Sequence, residues 1–220
     1  MLAHIEACGL ANSTIVVLYS DHGMEFFEHD TWGQGNSAVG EASPRIPLVI
    51  HDPRVTGRGR IDSVVRSIDL APTLLELAGA PASPAMDGVS LASCLRANHP
   101  FPDLDAFNET GIWLAEIPGL PDTHLRYPDL LELLEVPNLL SGTLSIKPEY
   151  EERILAAKDR MIRRGRWKLV YQPTDNDAVI RLFDVEADPG CKVDRFADHP
   201  DIVDDLWKAL AAWIAGNRVR

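Results

Sequence analysis

The spacing of apolar positions divides the chain into segments of different period. Residues 2–10 read as the end of an amphipathic helix, broken at Asn12 and Ser13. Residues 14–19, TIVVLY, form a continuous β-branched and apolar run of strand length. Continuous rather than alternating hydrophobicity predicts burial on both faces, as in the parallel or mixed central sheet of an α/β domain. The polar string Ser20-Asp21-His22-Gly23 follows at once, at the strand end where open α/β sheets place their ligands. Residues 26–41 carry Gly, Asn, Asp and Ser without a sustained period, which predicts a long loop of a class that is usually functional or disordered. Residues 46–50, IPLVI, are a second apolar strand, with Pro47 near its start or at an edge where its missing N–H is tolerated.

Residues 69–78 then show helical spacing, with Asp69 as N-cap, Pro72 in the first turn and Gly79 just past the end. From 81 to 148 prolines and glycines multiply and periodicity fades, marking a segment that crosses between lobes. Order returns in short strands at 160–163, 167–172 and 179–185, which predict a small antiparallel sheet. The stretch 200–214 puts Ile202, Val203, Leu206, Leu210, Trp213 and Ile214 near helical spacing, so a terminal amphipathic helix should cover that sheet. The predicted fold is α/β: part of a mixed central sheet flanked by helices, then a small C-terminal antiparallel sheet with a terminal helix. The expected divisions are a first region at 1–98, a connecting segment at 99–158 and a small α+β lobe at 159–220.

Composition narrows the function. The 220 residues are 45% hydrophobic, enough for one substantial core or a large lobe plus a small one, so disorder is not expected. Lys and Arg number 21 against 33 Asp and Glu, a formal charge of −12, which argues against a nucleic-acid-binding surface. It does not exclude an anionic substrate, because a bound divalent cation can reverse the field inside one pocket. Cys8, Cys94 and Cys191 lie far apart in no ligand spacing, so no structural zinc site is predicted. No apolar run approaches the length of a membrane span, and the first residues lack the basic start and apolar core of a secretory signal.

Asp21 and His22 are the sharpest chemical signal. A carboxylate and an imidazole at the end of a buried strand, with Gly23 allowing close backbone approach, can ligate one divalent ion. The dipeptide alone is explained more simply by a turn in which Asp21 caps a following helix. The surrounding string changes that balance. Val17 to Glu25 (VLYSDHGME), Glu28-His29, Trp32-Gly33-Gln34-Gly35 and Pro44 to Ile50 (PRIPLVI) stand in the order and spacing of a sulfatase pattern. That pattern is a strand, DHG or DNG, EHG, WGKG, and a basic residue before VPLII. Residues 66–75 (RSIDLAPTLL) and 87–91 (DGVSL) continue the resemblance to the sulfatase family, as do 163–170 (RRGRWKLV), 182–184 (LFD) and Asp188-Pro189. It covers both ends of the chain and weakens between about residues 100 and 149.

The resemblance implies an alkaline phosphatase-like fold and hydrolysis of a small anionic ester, a sulfate ester first of all. It implies one divalent ion, Ca most naturally with Mg or Mn as alternatives, held by Asp21 and His22, Asp21 supplying the negative charge. His29 takes the place of the EHG histidine: it either lines the pocket as a catalytic-site residue, or hydrogen-bonds a group behind the site, or holds a turn. Arg45 is expected to pair with an acidic residue under the site. Gln34 stands where the family commonly has Lys or His against the ester's anionic oxygens; as a substrate-binding residue it donates a hydrogen bond but brings no charge.

The family's nucleophile is a Cys or Ser in a CxPxR or SxPxR segment that becomes formylglycine, or a Thr in phosphoglycerol transferases. None of Cys8, Cys94 and Cys191 is followed by that pattern. The expectation is that an N-terminal half carrying the nucleophile and the first acidic ligand pair lies upstream of Met1 and acts as this chain's partner. Alone, the chain would be inactive and would leave apolar sheet surface exposed. Two rival functions fit the same residues. One is a phosphonate or phosphate ester hydrolase, or a phosphoglycerol transferase, of the same superfamily. The other is a non-catalytic fragment or pseudoenzyme with a binding role, which Gln34 and the missing nucleophile favour and the intact Asp21-His22-Gly23 opposes.

Overall fold

The computed structural model describes residues 1–35, 37–55, 59–97, 99–111, 122–126 and 128–217. The chain opens with α1 (Leu2–Ala7), β1 (Val16–Tyr19), the short strands β2 (Glu25–Phe26) and β3 (Trp32–Gly33), and β4 (Leu48–His51). A 3-10 turn (Ser67–Asp69) leads into α2 (Leu70–Leu77), followed by α3 (Ala92–Ala97) and β5 (Ala106–Glu109). Residues 130–157 hold α4 (Leu130–Leu133), β6 (Leu134–Glu135), β7 (Ser145–Ile146) and α5 (Pro148–Ala157). The chain ends in β8 (Arg160–Arg164), β9 (Trp167–Pro173), β10 (Ala178–Asp184) and α6 (Pro200–Asn217). These elements form two compact units, Met1–Asp21 with Ile46–Ala106, and His22–Arg45 with Phe107–Arg220. No helix among the described residues is long and apolar enough to cross a membrane.

In the first unit β1 pairs antiparallel with β4, Val16 opposite His51 and Tyr19 opposite Leu48. The expected burial of this strand on both faces is not realised: Leu18 is 63% and Tyr19 53% exposed. The sheet has two strands, and a two-stranded ribbon cannot cover either face of itself. Beside it, Asp69 precedes α2 as expected, but its side chain does not cap that helix. The buried carboxylate turns back instead, accepting from Arg66 Nη2 at 2.7 Å and Nε at 2.9 Å and from the Val89 N–H at 2.9 Å. Gly88 makes this possible, since a Cβ there would lie 1.9 Å from the Ile68 carbonyl oxygen. Thr73 extends the knot, donating to Asp69 O at 2.6 Å and accepting from the Leu91 N–H at 3.0 Å. Asp69, Thr73 and the 87–91 segment are thus one hydrogen-bonded assembly.

In the second unit four strands lie in the order β10-β9-β8-β5, with β8–β9 and β9–β10 antiparallel. The alternation of β-structure sorts their side chains between two faces. Ile162, Leu169 and Leu182 face α6 and are buried with its Leu206 and Leu210. Phe107 stacks on Trp213 with ring centroids 5.0 Å apart, and Tyr171 on Trp207 at 5.5 Å. The terminal helix covers the sheet as its apolar spacing predicts. The neighbouring positions Met161, Val170 and Phe183 point to the other face, where they form a second core with Val185, Cys191 and Ala38 of the 22–45 loop. The loop is therefore the cover of that face. Leu210 has no exposed surface, so Leu210→Ala should cost about 2–5 kcal/mol in urea unfolding, whereas Leu140→Ala, at a fully exposed position, should stay within about 0.5 kcal/mol.

Candidate functional site

The Ser20-Asp21-His22-Gly23 string follows β1 directly. Asp21 is exposed and belongs to the first unit, while His22 is half-buried and belongs to the second. The His22 ring is oriented locally: Nδ1 lies 2.8 Å from the Gly23 carbonyl oxygen. A carbonyl only accepts, so Nδ1 carries the proton and the lone pair of the neutral ring sits on Nε2. A metal-ligating histidine is oriented in the same way, one ring nitrogen donating to a carbonyl so that the lone pair is on the other. With a carboxylate next in sequence, the donor set is one hard oxygen and one imidazole nitrogen, which suits a divalent ion. Among the described residues no group of three or more His, Cys, Asp and Glu side chains could hold a metal ion.

Gly23 is required by packing. Its N–H donates to the Ser43 carbonyl at 2.8 Å, and a Cβ would fall 1.9 Å from the Ala42 carbonyl oxygen. Ser43, buried, has a second role through its hydroxyl, which accepts from the Gly35 N–H at 2.7 Å. The Gly35 carbonyl in turn accepts from the Gly111 N–H at 2.9 Å. One serine thus holds the backbone beside His22 and the backbone beside Gln34. Gln34 is exposed, next to this tie. Ser43 escaped notice in the sequence because a buried serine bonded to main chain carries no motif of its own.

His29 is engaged at both ring nitrogens. Nε2 lies 2.8 Å from the Gly190 carbonyl oxygen, and Nδ1 3.5 Å from Glu25 Oε2, a loose ion pair rather than a short hydrogen bond. Glu25 has no exposed surface and its carboxylate oxygens accept no hydrogen bond among the described residues, so pairing with a charged His29 is what offsets its burial. The Glu25 carboxylate raises the His29 pKa above its ordinary value, burial opposes the rise, and the Gly190 carbonyl adds to it. These contacts tie the His29 ring to Glu25 and to the Gly190 turn. Arg45 is exposed, and its N–H donates to Glu41 O at 3.1 Å. The acid beneath this segment is Glu41, whose partners are Arg163 at 2.8 Å and Lys168 at 3.1 Å. No disulfide joins the cysteines: Cys8 is exposed and Cys94 and Cys191 are buried, with burial pushing the Cys191 thiol up to about 11.

The strand followed by an oriented Asp-His-Gly turn and the C-terminal sheet under a long helix keep the order of the motifs that resemble the sulfatase family. Comparison with known proteins agrees. The sulfatase family model matches residues 1–80. Arylsulfatase K of Xenopus laevis is 36% identical over 215 residues, which is 96% of this chain and 33% of that protein. BT4656, solved in complex with its substrate D-glucosamine-2-N,6-O-disulfate, superposes with a TM-score of 0.68 at 22% identity, over 96% of this chain and 36% of its own. A phosphonate monoester hydrolase from Silicibacter pomeroyi superposes with a TM-score of 0.65 at 24% identity, over 100% and 37%. Residues 1–80 carry the sulfatase family's pattern, and the chain is similar to sulfatases over nearly its whole length. It spans about a third of the length of the curated relatives it matches, and its fold corresponds to the C-terminal part of the solved ones.

Two outcomes follow for the loop. Gly23→Ala drives a Cβ into main chain and breaks the bond to Ser43, so it should cost about 1–3 kcal/mol in urea unfolding. For His29 the sign is set by its raised pKa: its contribution is full below the unfolded value of 6.5 and is lost as pH rises through the higher folded value. The stability gap between wild type and His29→Gln, followed by urea unfolding, should therefore be widest near about pH 5.5–6 and narrow toward about pH 9.

Proposed function

We propose that this chain is the metal-binding and substrate-orienting part of a sulfate ester hydrolase. Asp21 and His22 hold one divalent ion, with Ca the best match to a carboxylate-bearing site and Mg or Mn as substitutes. The observation that carries this assignment is the His22 ring, whose Nδ1 is committed to the Gly23 carbonyl 2.8 Å away, so that the donor lone pair is on Nε2. When bound, the ion supplies fixed positive charge for the ester oxygens. Asp21 contributes the negative charge that retains a cation in a chain whose ligand set is otherwise neutral. Gln34, on the same loop as His22, offers an amide N–H to an anionic oxygen, with one cation fewer than a lysine would bring. His29 holds the loop and does not transfer protons.

No residue of this chain fits the family's nucleophile pattern, so hydrolysis calls for a formylglycine-bearing polypeptide corresponding to the preceding part of the relatives. The exposed apolar surface of β1 and β4, including Leu18, Tyr19 and Val49, supports such a partner. The substrate proposed is a small sulfate ester; the fold shared with phosphonate monoester hydrolases makes a phosphonate ester the competing substrate.

The test assays the purified chain on paired aryl sulfate and aryl phosphonate esters, alone and with a separately expressed upstream half. No turnover is expected alone. With the upstream half, metal-dependent sulfate turnover should appear and fall by about 10²-fold or more in Asp21→Ala. Preference for the phosphonate would move the function to the rival hydrolase. Metal-dependent turnover by the chain alone, abolished in Asp21→Ala, would show that it supplies its own nucleophile.

A further inference from the structure

We propose that Lys168 is a positioning residue of the site: its buried ammonium fastens the loop that carries His22 and Gln34 onto the C-terminal sheet. What the loop presents rests on the function proposed above; how it is held is independent of it. Lys168 has no exposed surface, although it sits in the middle of the sheet in β9. Lysines are almost never fully buried unless their donors are paired. Here Nζ donates to the Gly40 carbonyl at 2.5 Å and to Glu41 Oε1 at 3.1 Å. The other Glu41 oxygen accepts from Arg163 Nη1 at 2.8 Å, and Arg163 Nε donates to Gly165 O at 2.7 Å, at the β8–β9 turn. Two cations from adjacent strands thus share one loop carboxylate.

Strand alternation puts Lys168 on the same side of β9 as Val170, which packs with Met161, Phe183, Val185 and Cys191 against Ala38. The loop is therefore fixed by an apolar contact at Ala38 and by charge at Gly40 and Glu41. A third tie is His29 on the Gly190 carbonyl, 2.8 Å away. From Glu41 the constraint passes two residues on to Ser43, whose carbonyl holds Gly23 and whose hydroxyl holds Gly35. These glycines flank His22 and Gln34. The tryptophan–lysine–leucine segment of β9 and the Asp188-Pro189-Gly190 turn thereby acquire a purpose as the anvil on which the site loop is set.

Amide hydrogen exchange on the full chain tests the latch. In Lys168→Met, the Gly23, Gly35 and Arg45 amides should exchange roughly 10- to 100-fold faster, the effect of losing one charge-assisted bond, while α6 and the β9–β10 pairs keep their protection. Glu41→Gln, which preserves volume, should loosen the same amides less, and the double variant should add little to Lys168→Met. Unchanged protection of the loop, or equal loss across α6 and the sheet in both single variants, would overturn the latch. A second measurement addresses positioning: broadening of the His22 ring signals by Mn²⁺ should weaken in Lys168→Met at equal Mn²⁺, with the His4 signals unaffected. Undiminished broadening despite a deprotected loop would refute positioning. A wild-type chain that shows no Mn²⁺ effect at His22 would sink the metal assignment instead, and the exchange measurement would still decide the latch.

Discussion

The second unit depends on an ammonium group placed where water cannot reach it. Lys168 stands inside the face of the sheet opposite α6, and its charge is tolerable only because the loop brings a carbonyl and a carboxylate to meet it. The dependence runs both ways. Without the loop, Lys168, Met161, Val170 and Phe183 would face solvent or each other unpaired; without Lys168, Glu41 would keep one cation partner and Gly40 would lose its donor. Segments more than a hundred residues apart in sequence are thereby made into one structure.

The first unit uses the mirror image of that device. Asp69, buried, gathers the Arg66 guanidinium and the Val89 N–H, and Thr73 ties the same knot to Leu91. In each unit one buried charge organises main chain that has no regular structure of its own. A backbone group so held needs no sheet or helix to satisfy it, and irregular segments can keep a fixed shape beside a site.

The β1–β4 ribbon lacks an equivalent. Its residues are of the kind that fill central sheets, yet Leu18, Tyr19 and Val49 are mainly exposed. Two strands without a covering layer are marginal in water. These exposed apolar side chains stand on the strand immediately before the Asp-His-Gly turn, and they are what the partner proposed above would cover.

Sequence alone was enough for the strand–Asp-His-Gly order, the α2 helix, the three C-terminal strands and the amphipathic α6, because each is written in local spacing of apolar and polar residues. The family resemblance followed from the same strings. It also marked His29, Gln34, the β9 segment and the Asp188-Pro189 turn, but as separate signatures. Tertiary structure alone decided that the 22–45 loop lies on the C-terminal sheet rather than with its neighbours in sequence, that Asp69 caps a turn and Val89 instead of its helix, and that β1 is exposed. It also gave Lys168, Glu41 and Ser43 their roles. Each of these depends on which distant group meets a buried charge or an unpaired backbone atom, and hydrophobic periodicity, being local, holds no record of that meeting.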